Sequence, residues 1–142
     1  MGHIGLTPQT ISMLGGFKVQ GKDAQAAQNI IDDALFLEDA GAFSVVLEAV
    51  PAPIAKMVTE RLTIPTIGVG AGVHCDGQVL VAHDMLGLFD RFTPKFVKRY
   101  VNLSEQILKA FEAFREEVVQ GKFPTDQHSF HIDEKELSKI KA

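Results

Sequence analysis

Apolar residues recur along this chain in two rhythms, one helical and one of short continuous runs. Between residues 24 and 40, Ala27, Ile30, Ile31, Ala34 and Leu35 fall at helical spacing, with Asp23 placed to cap the start and Gly41 to stop the end. Residues 43–50 form a short apolar run rich in β-branched side chains, which predicts a buried strand. Pro51 and Pro53 end it, and Pro53 suits the first turn of a second helix over 54–62. A second buried strand is predicted over 64–70, a loop over 70–77, a third strand over 78–82 and a short helical piece around 85–89. Thr93 followed by Pro94 predicts the opening of another helix, carrying Phe96, Val97 and Tyr100. From about residue 103 to 120 an amphipathic helix places Ile107, Leu108, Phe111, Phe114 and Val118 on one face, and Gly121 ends it. At the other end, residues 7–21 read as a loop with one helical turn, punctuated by Gly15, Gly16 and Gly21. Residues 3–6 read as the C-terminal end of a strand.

Strands that alternate with helices predict an α/β fold with a parallel sheet and helices outside it. Composition narrows the function. Among 142 residues, 14 Lys+Arg stand against 18 Asp+Glu, a formal net charge of -4, which argues against nucleic-acid binding through gross basic charge. With 46% hydrophobic residues, the chain is not a disordered acidic tail. Cys75 is the one cysteine, so neither a disulfide framework nor a thiol pair for zinc is available. No apolar stretch reaches the ~18 residues of a membrane span. The first residues carry no basic signal-peptide region, so a cytoplasmic setting is expected. A complete eight-stranded β/α barrel needs at least ~200 residues, more than this chain has.

Glu48 is the chemical outlier. It lies near the C-terminal end of a predicted buried strand, on the same face as Ser44 and Val46 and opposite Val45 and Leu47. A carboxylate among apolar groups is desolvated, which disfavours its charged form and suits a general base. The competing reading is a rim glutamate, hydrated or paired with Lys56. The run Gly68-Val69-Gly70-Ala71-Gly72 follows a strand and allows a tight turn or a close backbone approach to a ligand, but no Lys-Ser/Thr follows, which excludes a Walker loop. His74, Cys75, Asp76, His83 and Asp84 match no compact zinc spacing, and Asp84 is read as a cap for the following helix. His3, between Gly2 and Gly5, reads as a rim residue. His128 and His131 read as solvated tail residues.

Several blocks together resemble the ketopantoate hydroxymethyltransferase family. They are Gly2-His3-Ile4-Gly5-Leu6-Thr7-Pro8-Gln9, Gly15-Gly16-Phe17-Lys18-Val19-Gln20-Gly21, Val46-Leu47-Glu48 with Val50-Pro51, Ile67-Gly68-Val69-Gly70-Ala71-Gly72, Asp76-Gly77-Gln78-Val79-Leu80-Val81-Ala82-His83-Asp84, and Phe123-Pro124 with His128-Ser129-Phe130. The resemblance runs in order from residue 2 to about 131. It implies the C-terminal half of a (β/α)8 TIM barrel of the phosphoenolpyruvate/pyruvate type, strands five to eight with their helices. Residues 1–131 would be this partial barrel and 132–142 a charged C-terminal tail.

The resemblance also implies a reaction: transfer of a one-carbon unit from methylenetetrahydrofolate to 3-methyl-2-oxobutanoate, giving ketopantoate. By the same likeness Glu48 matches the family's base and His3 a pocket histidine that binds the keto acid. The family's Mg²⁺ ligands would lie in the N-terminal half, and none is matched here. Partners implied are small-molecule substrates, the other half of the barrel or a second copy of the chain, and no nucleic acid or membrane; the full-length family forms homo-oligomers. A half barrel leaves sheet edges and an inner face exposed. The isolated chain is therefore expected to be an inactive half. The alternatives are a half completed by a separate chain, and a non-catalytic half-barrel that self-associates or binds a phosphate ester.

Overall fold

Four short strands lie side by side in chain order, all parallel: β1 (Gly2–Gly5), β2 (Val45–Glu48), β3 (Thr66–Val69) and β4 (Gly77–Gln78). They belong to a computed structural model that describes residues 1–10 and 16–140. Gly15, read above as loop punctuation, lies outside the described residues. The chain divides into two compact units, Met1–Val101 and Asn102–Ala142.

In the first unit, α1 (Ala24–Asp39) joins β1 to β2, and α2 (Ala52–Arg61) joins β2 to β3. The Asp23 side chain accepts a hydrogen bond from the Ala26 N–H at 2.8 Å and caps α1 as expected. Pro53 stands in the first turn of α2, where its missing N–H costs nothing. Ile30, Ile31 and Ala34 of α1 and Ala55 and Val58 of α2 pack in one cluster with Ile4, Val45 and Leu47 of the strands. Each fully buried Val, Leu or Ile side chain among them contributes about 1.5–3 kcal/mol. Both helices thus cover one face of the sheet. The other face carries His3, Val46 and Ile67, which are neighbours in register and remain exposed or half-buried. The fold is α/β with a parallel sheet, as the alternation of elements predicts.

Three expectations fail. The strand predicted over 78–82 is only Gly77–Gln78, and Val79 to Val81 leave the sheet. The reason lies in its neighbour. β3 ends at Val69, and Gly70 turns the chain away at a φ of 65°, so after the Val79 N–H reaches the Gly68 carbonyl at 2.9 Å the ladder has no further partner. The short helix α3 (Ala82–Met85) therefore starts earlier than expected, and its N-cap is Val81, so Asp84 is not a cap. The helix predicted from Thr93-Pro94 is a single turn in which the Val97 N–H reaches the Pro94 carbonyl at 3.0 Å. Tertiary contacts overrule the local signal: the Phe96 ring packs over Gly70, and the Arg99 guanidinium donates to the Phe89 carbonyl at 2.7 Å. An isolated turn has little propensity of its own to oppose such contacts.

The second unit is built on α4 (Leu103–Val119). Gly121 follows it at a φ of 67°. Phe114 and Phe123 meet edge to face with centroids 5.5 Å apart, and His128 stacks near Phe123 at 5.1 Å. A 3₁₀ turn (Asp126–His128) and α5 (Glu134–Leu137), capped by Asp133, complete it. Ile107, Leu108, Phe111, Phe114 and Val118 are all exposed along α4. Among the described residues no helix is long and apolar enough to cross a membrane.

Candidate active site

The C-terminal ends of β1, β2 and β3 lie level, with Gly5, Glu48 and Val69 side by side in register. Alternation along parallel strands puts the His3 and Glu48 side chains on the same, uncovered face. They meet there: His3 Nε2 and Glu48 Oε2 are 3.0 Å apart, with the Glu48 side chain only 17% exposed and that of His3 33% exposed. Lys56, the alternative partner for Glu48, lies instead 3.7 Å from Glu60 on the surface of α2.

The backbone around Glu48 is fixed from both sides. Gly5 has a φ of 86°, and a β-carbon there would fall on the Glu48 carbonyl oxygen. Only glycine combines that conformation with that approach, and it lets the Leu6 N–H donate to the Glu48 carbonyl at 2.8 Å. Ala49, directly after Glu48, holds a φ of 51°, an uncommon conformation for a residue with a β-carbon. Two hydrogen bonds hold it: its N–H donates to the Val69 carbonyl at 2.8 Å, and its carbonyl accepts from the Gln20 N–H at 2.9 Å.

Glu48 opens onto a cavity of about 510 Å³ whose wall is largely apolar, with Leu6, Phe17, Phe89, Phe92 and Phe96 contributing. Its charged lining is Lys18, Glu48, Asp84 and Lys95. Sequence reading gave no chemical role to Lys18, Asp84 or Lys95. The signal available for Lys18 and Asp84 was their place inside the blocks that carry the resemblance; Lys95 lies outside those blocks and gave none.

The opposite end of the sheet is tied down by carboxylates. Asp76 accepts from the Thr66 N–H at 2.8 Å and from its hydroxyl at 3.1 Å, and these bonds, the backbone one first, hold its carboxyl below the usual range. The Thr63 hydroxyl, then the Thr63 and Ile64 N–H groups, do the same for Glu38. Both fix the entry to β3, away from the rim where Glu48 lies.

The remaining candidates fall apart. Cys75 is buried in the core, Asp76 is engaged by Thr66, and His74 and His83 are exposed. Among the described residues no group of three His, Cys, Asp or Glu side chains converges to hold a metal ion. The glycines of the 68–72 run are explained by packing: a β-carbon on Gly70 would sit 2.7 Å from the Phe96 ring, and one on Gly72 would overlap Ala52. His131 lies 3.3 Å from Asp126, and the Thr125 hydroxyl bonds His128 Nδ1 at 2.8 Å, all on an exposed surface.

Comparison with known proteins decides the family. A family model described as ketopantoate hydroxymethyltransferase matches residues 1–126. The chain belongs to the ketopantoate hydroxymethyltransferase family. It is 62% identical over 136 residues to the 3-methyl-2-oxobutanoate hydroxymethyltransferase of Oleidesulfovibrio alaskensis, covering 96% of this chain and 47% of that protein. To the enzyme of the same name from Clostridium botulinum it is 57% identical over 140 residues, covering 99% of this chain and 51% of that one. The match to the Syntrophus aciditrophicus protein of that name is 62% over 130 residues, 92% of this chain and 48% of the relative. The chain spans about half the length of the curated relatives it matches. As a ketopantoate hydroxymethyltransferase family segment, it contributes the His3–Glu48 pair and the cavity beside it from its own residues.

Proposed function

We propose that this chain carries the proton-abstracting half of a 3-methyl-2-oxobutanoate hydroxymethyltransferase. The observation that carries the reading is the Glu48 carboxylate, pinned by His3 at a strand C-terminal end and facing a largely apolar cavity. The substrate's C3–H is acidic only because the adjacent carbonyl can accept the electron pair. Glu48 takes that proton, the C3–H electrons form the enolate C=C bond, and the carbonyl oxygen gains the charge. The enolate C3 then bonds to the methylene carbon of methylenetetrahydrofolate, and both C–N bonds of that carbon break. Water supplies the hydroxyl oxygen of ketopantoate. The proton taken by Glu48 and one proton of that water end on the two nitrogens of the departing tetrahydrofolate. His3, in the tautomer with hydrogen on Nε2, occupies Glu48 Oε2 and leaves the other oxygen to take the proton.

The residues described here do not fit a magnesium centre, and no step is assigned to one. We place the family's Mg²⁺ ligands in the portion of the relatives that this chain does not span. The architecture we propose is a sector of a (β/α)8 barrel, its strands five to eight. Three features support it: consecutive parallel strand order, α1 and α2 packed on the same face, and a half-buried carboxylate at the C-terminal rim. The open edges of β1 and β4 would then pair with the rest of the barrel.

The test is a transfer assay on this segment joined to the half of a relative that it does not span. Glu48→Gln should lower ketopantoate formation by about 100- to 10,000-fold, the range that general-base catalysis contributes, while the keto acid still binds. Transfer at an undiminished rate would refute the role of Glu48.

A further inference from the structure

Among the described residues, every positive φ but one belongs to a glycine. The exception is Ala49, at a φ of 51°, immediately after Glu48. A β-carbon in the left-handed region crowds the backbone carbonyl and costs stability that glycine does not lose. Where the chain only has to turn, it uses the unstrained residue: Gly70 follows β3 and Gly121 follows α4. Ala49 also changes what β2 presents. Side chains alternate along a strand, so an extended chain would put Val50 on the same face as Glu48. Val50 is instead 2% exposed and packed in the core with Val45 and Leu47. One left-handed residue therefore reverses the alternation, leaving the carboxylate on the uncovered face and sending the next bulky side chain to the opposite one.

The turn is clamped by three segments. The Ala49 N–H bonds the Val69 carbonyl of β3 at 2.8 Å, and the Ala49 carbonyl accepts from the Gln20 N–H, ahead of α1, at 2.9 Å. The Glu48 carbonyl, in the peptide that Ala49 shares, accepts from the Leu6 N–H just after β1 at 2.8 Å. Strained backbone persists only where its surroundings over-determine it, and it is one way to pre-organise a reacting group. Building on the function proposed above, we infer that Ala49 is a positioning residue for Glu48. Its β-carbon confines the backbone to one left-handed well and so fixes the direction in which the preceding side chain leaves the strand end. Ala49 takes no part in the proton transfer itself. Glycine reaches the same φ without strain, but it also reaches neighbouring regions that alanine does not. The carboxylate would then sample more directions, and a misplacement of ~1 Å can slow a reaction about 100-fold. Stability and activity are thus opposed at this position.

The experiment compares Ala49→Gly and Ala49→Ser with the wild type in the joined protein, by urea unfolding and by exchange of the keto acid C3 proton in D₂O. Ala49→Gly should unfold at a urea concentration at least as high as the wild type, because the strain is relieved. Its exchange rate at saturating keto acid should nonetheless fall about 10-fold, with the half-saturating concentration within about twofold of the wild type. Ala49→Ser, which keeps the β-carbon, should recover most of that loss. Wild-type exchange in Ala49→Gly overturns the inference. So does a loss accompanied by a lower unfolding midpoint, which would make the methyl a packing group, or a loss confined to keto acid binding. Ala49→Ser as slow as Ala49→Gly also overturns it. Each of these results leaves the proposed function standing while exchange depends on Glu48. Exchange that survives Glu48→Gln overturns both.

Discussion

Glu48 gains its position from its neighbours' backbones. Gly5 approaches the Glu48 carbonyl so closely that a β-carbon cannot fit, and its φ of 86° is one that other residues rarely adopt. Gly5→Ala should therefore cost at least about 2 kcal/mol of stability, because it adds both strain and overlap. Urea unfolding measures it; a midpoint shift below about 0.5 kcal/mol equivalent would mean that the strand end relaxes freely. At this scale the sequence was informative for type and face. Glu48 as a strand-end carboxylate was legible because an acid amid Val45, Val46 and Leu47 breaks an apolar run. Its contact with His3 was not, since 45 residues separate the two and only strand register brings them within 3.0 Å.

Elements were legible where local pattern and tertiary packing agree. Helix α1 falls where Asp23, the apolar spacing and Gly41 place it, because cap, buried face and stop all act locally. β4 and the turn at residues 95–96 were misread because their outcome depends on β3 ending at Gly70 and on Phe96 packing there. The entry to β3 carries a pH prediction. Thr66 holds the Asp76 carboxyl below its ordinary value, so the folded state binds that proton less readily than the unfolded chain. Stability from this pair is full above the unfolded value near 3.8 and is lost as pH falls through the folded value. Asp76→Asn should lower the unfolding midpoint at pH 7 and flatten the loss of stability below about pH 4. An unchanged acid profile would mean that Asp76 contributes no linkage.

For the whole molecule, the sequence carried the family through ordered blocks, while composition and periodicity reached only an α/β fold. The apolar pattern specifies the sheet face that α1 and α2 cover. His3, Val46 and Ile67 remain accessible on the opposite face. We expect the chain alone to give no hydroxymethyl transfer, and the chain supplied with the other half to recover it. Turnover by the chain alone would show that its own residues suffice.

The account rests on Glu48 removing the C3 proton, and deuterium exchange into 3-methyl-2-oxobutanoate isolates that step. Proton NMR in D₂O, without the one-carbon donor, follows loss of the C3 signal. The joined protein should exchange it, and Glu48→Gln should abolish exchange while the substrate still binds. Exchange at the same rate in both would contradict the assignment of Glu48 as the base.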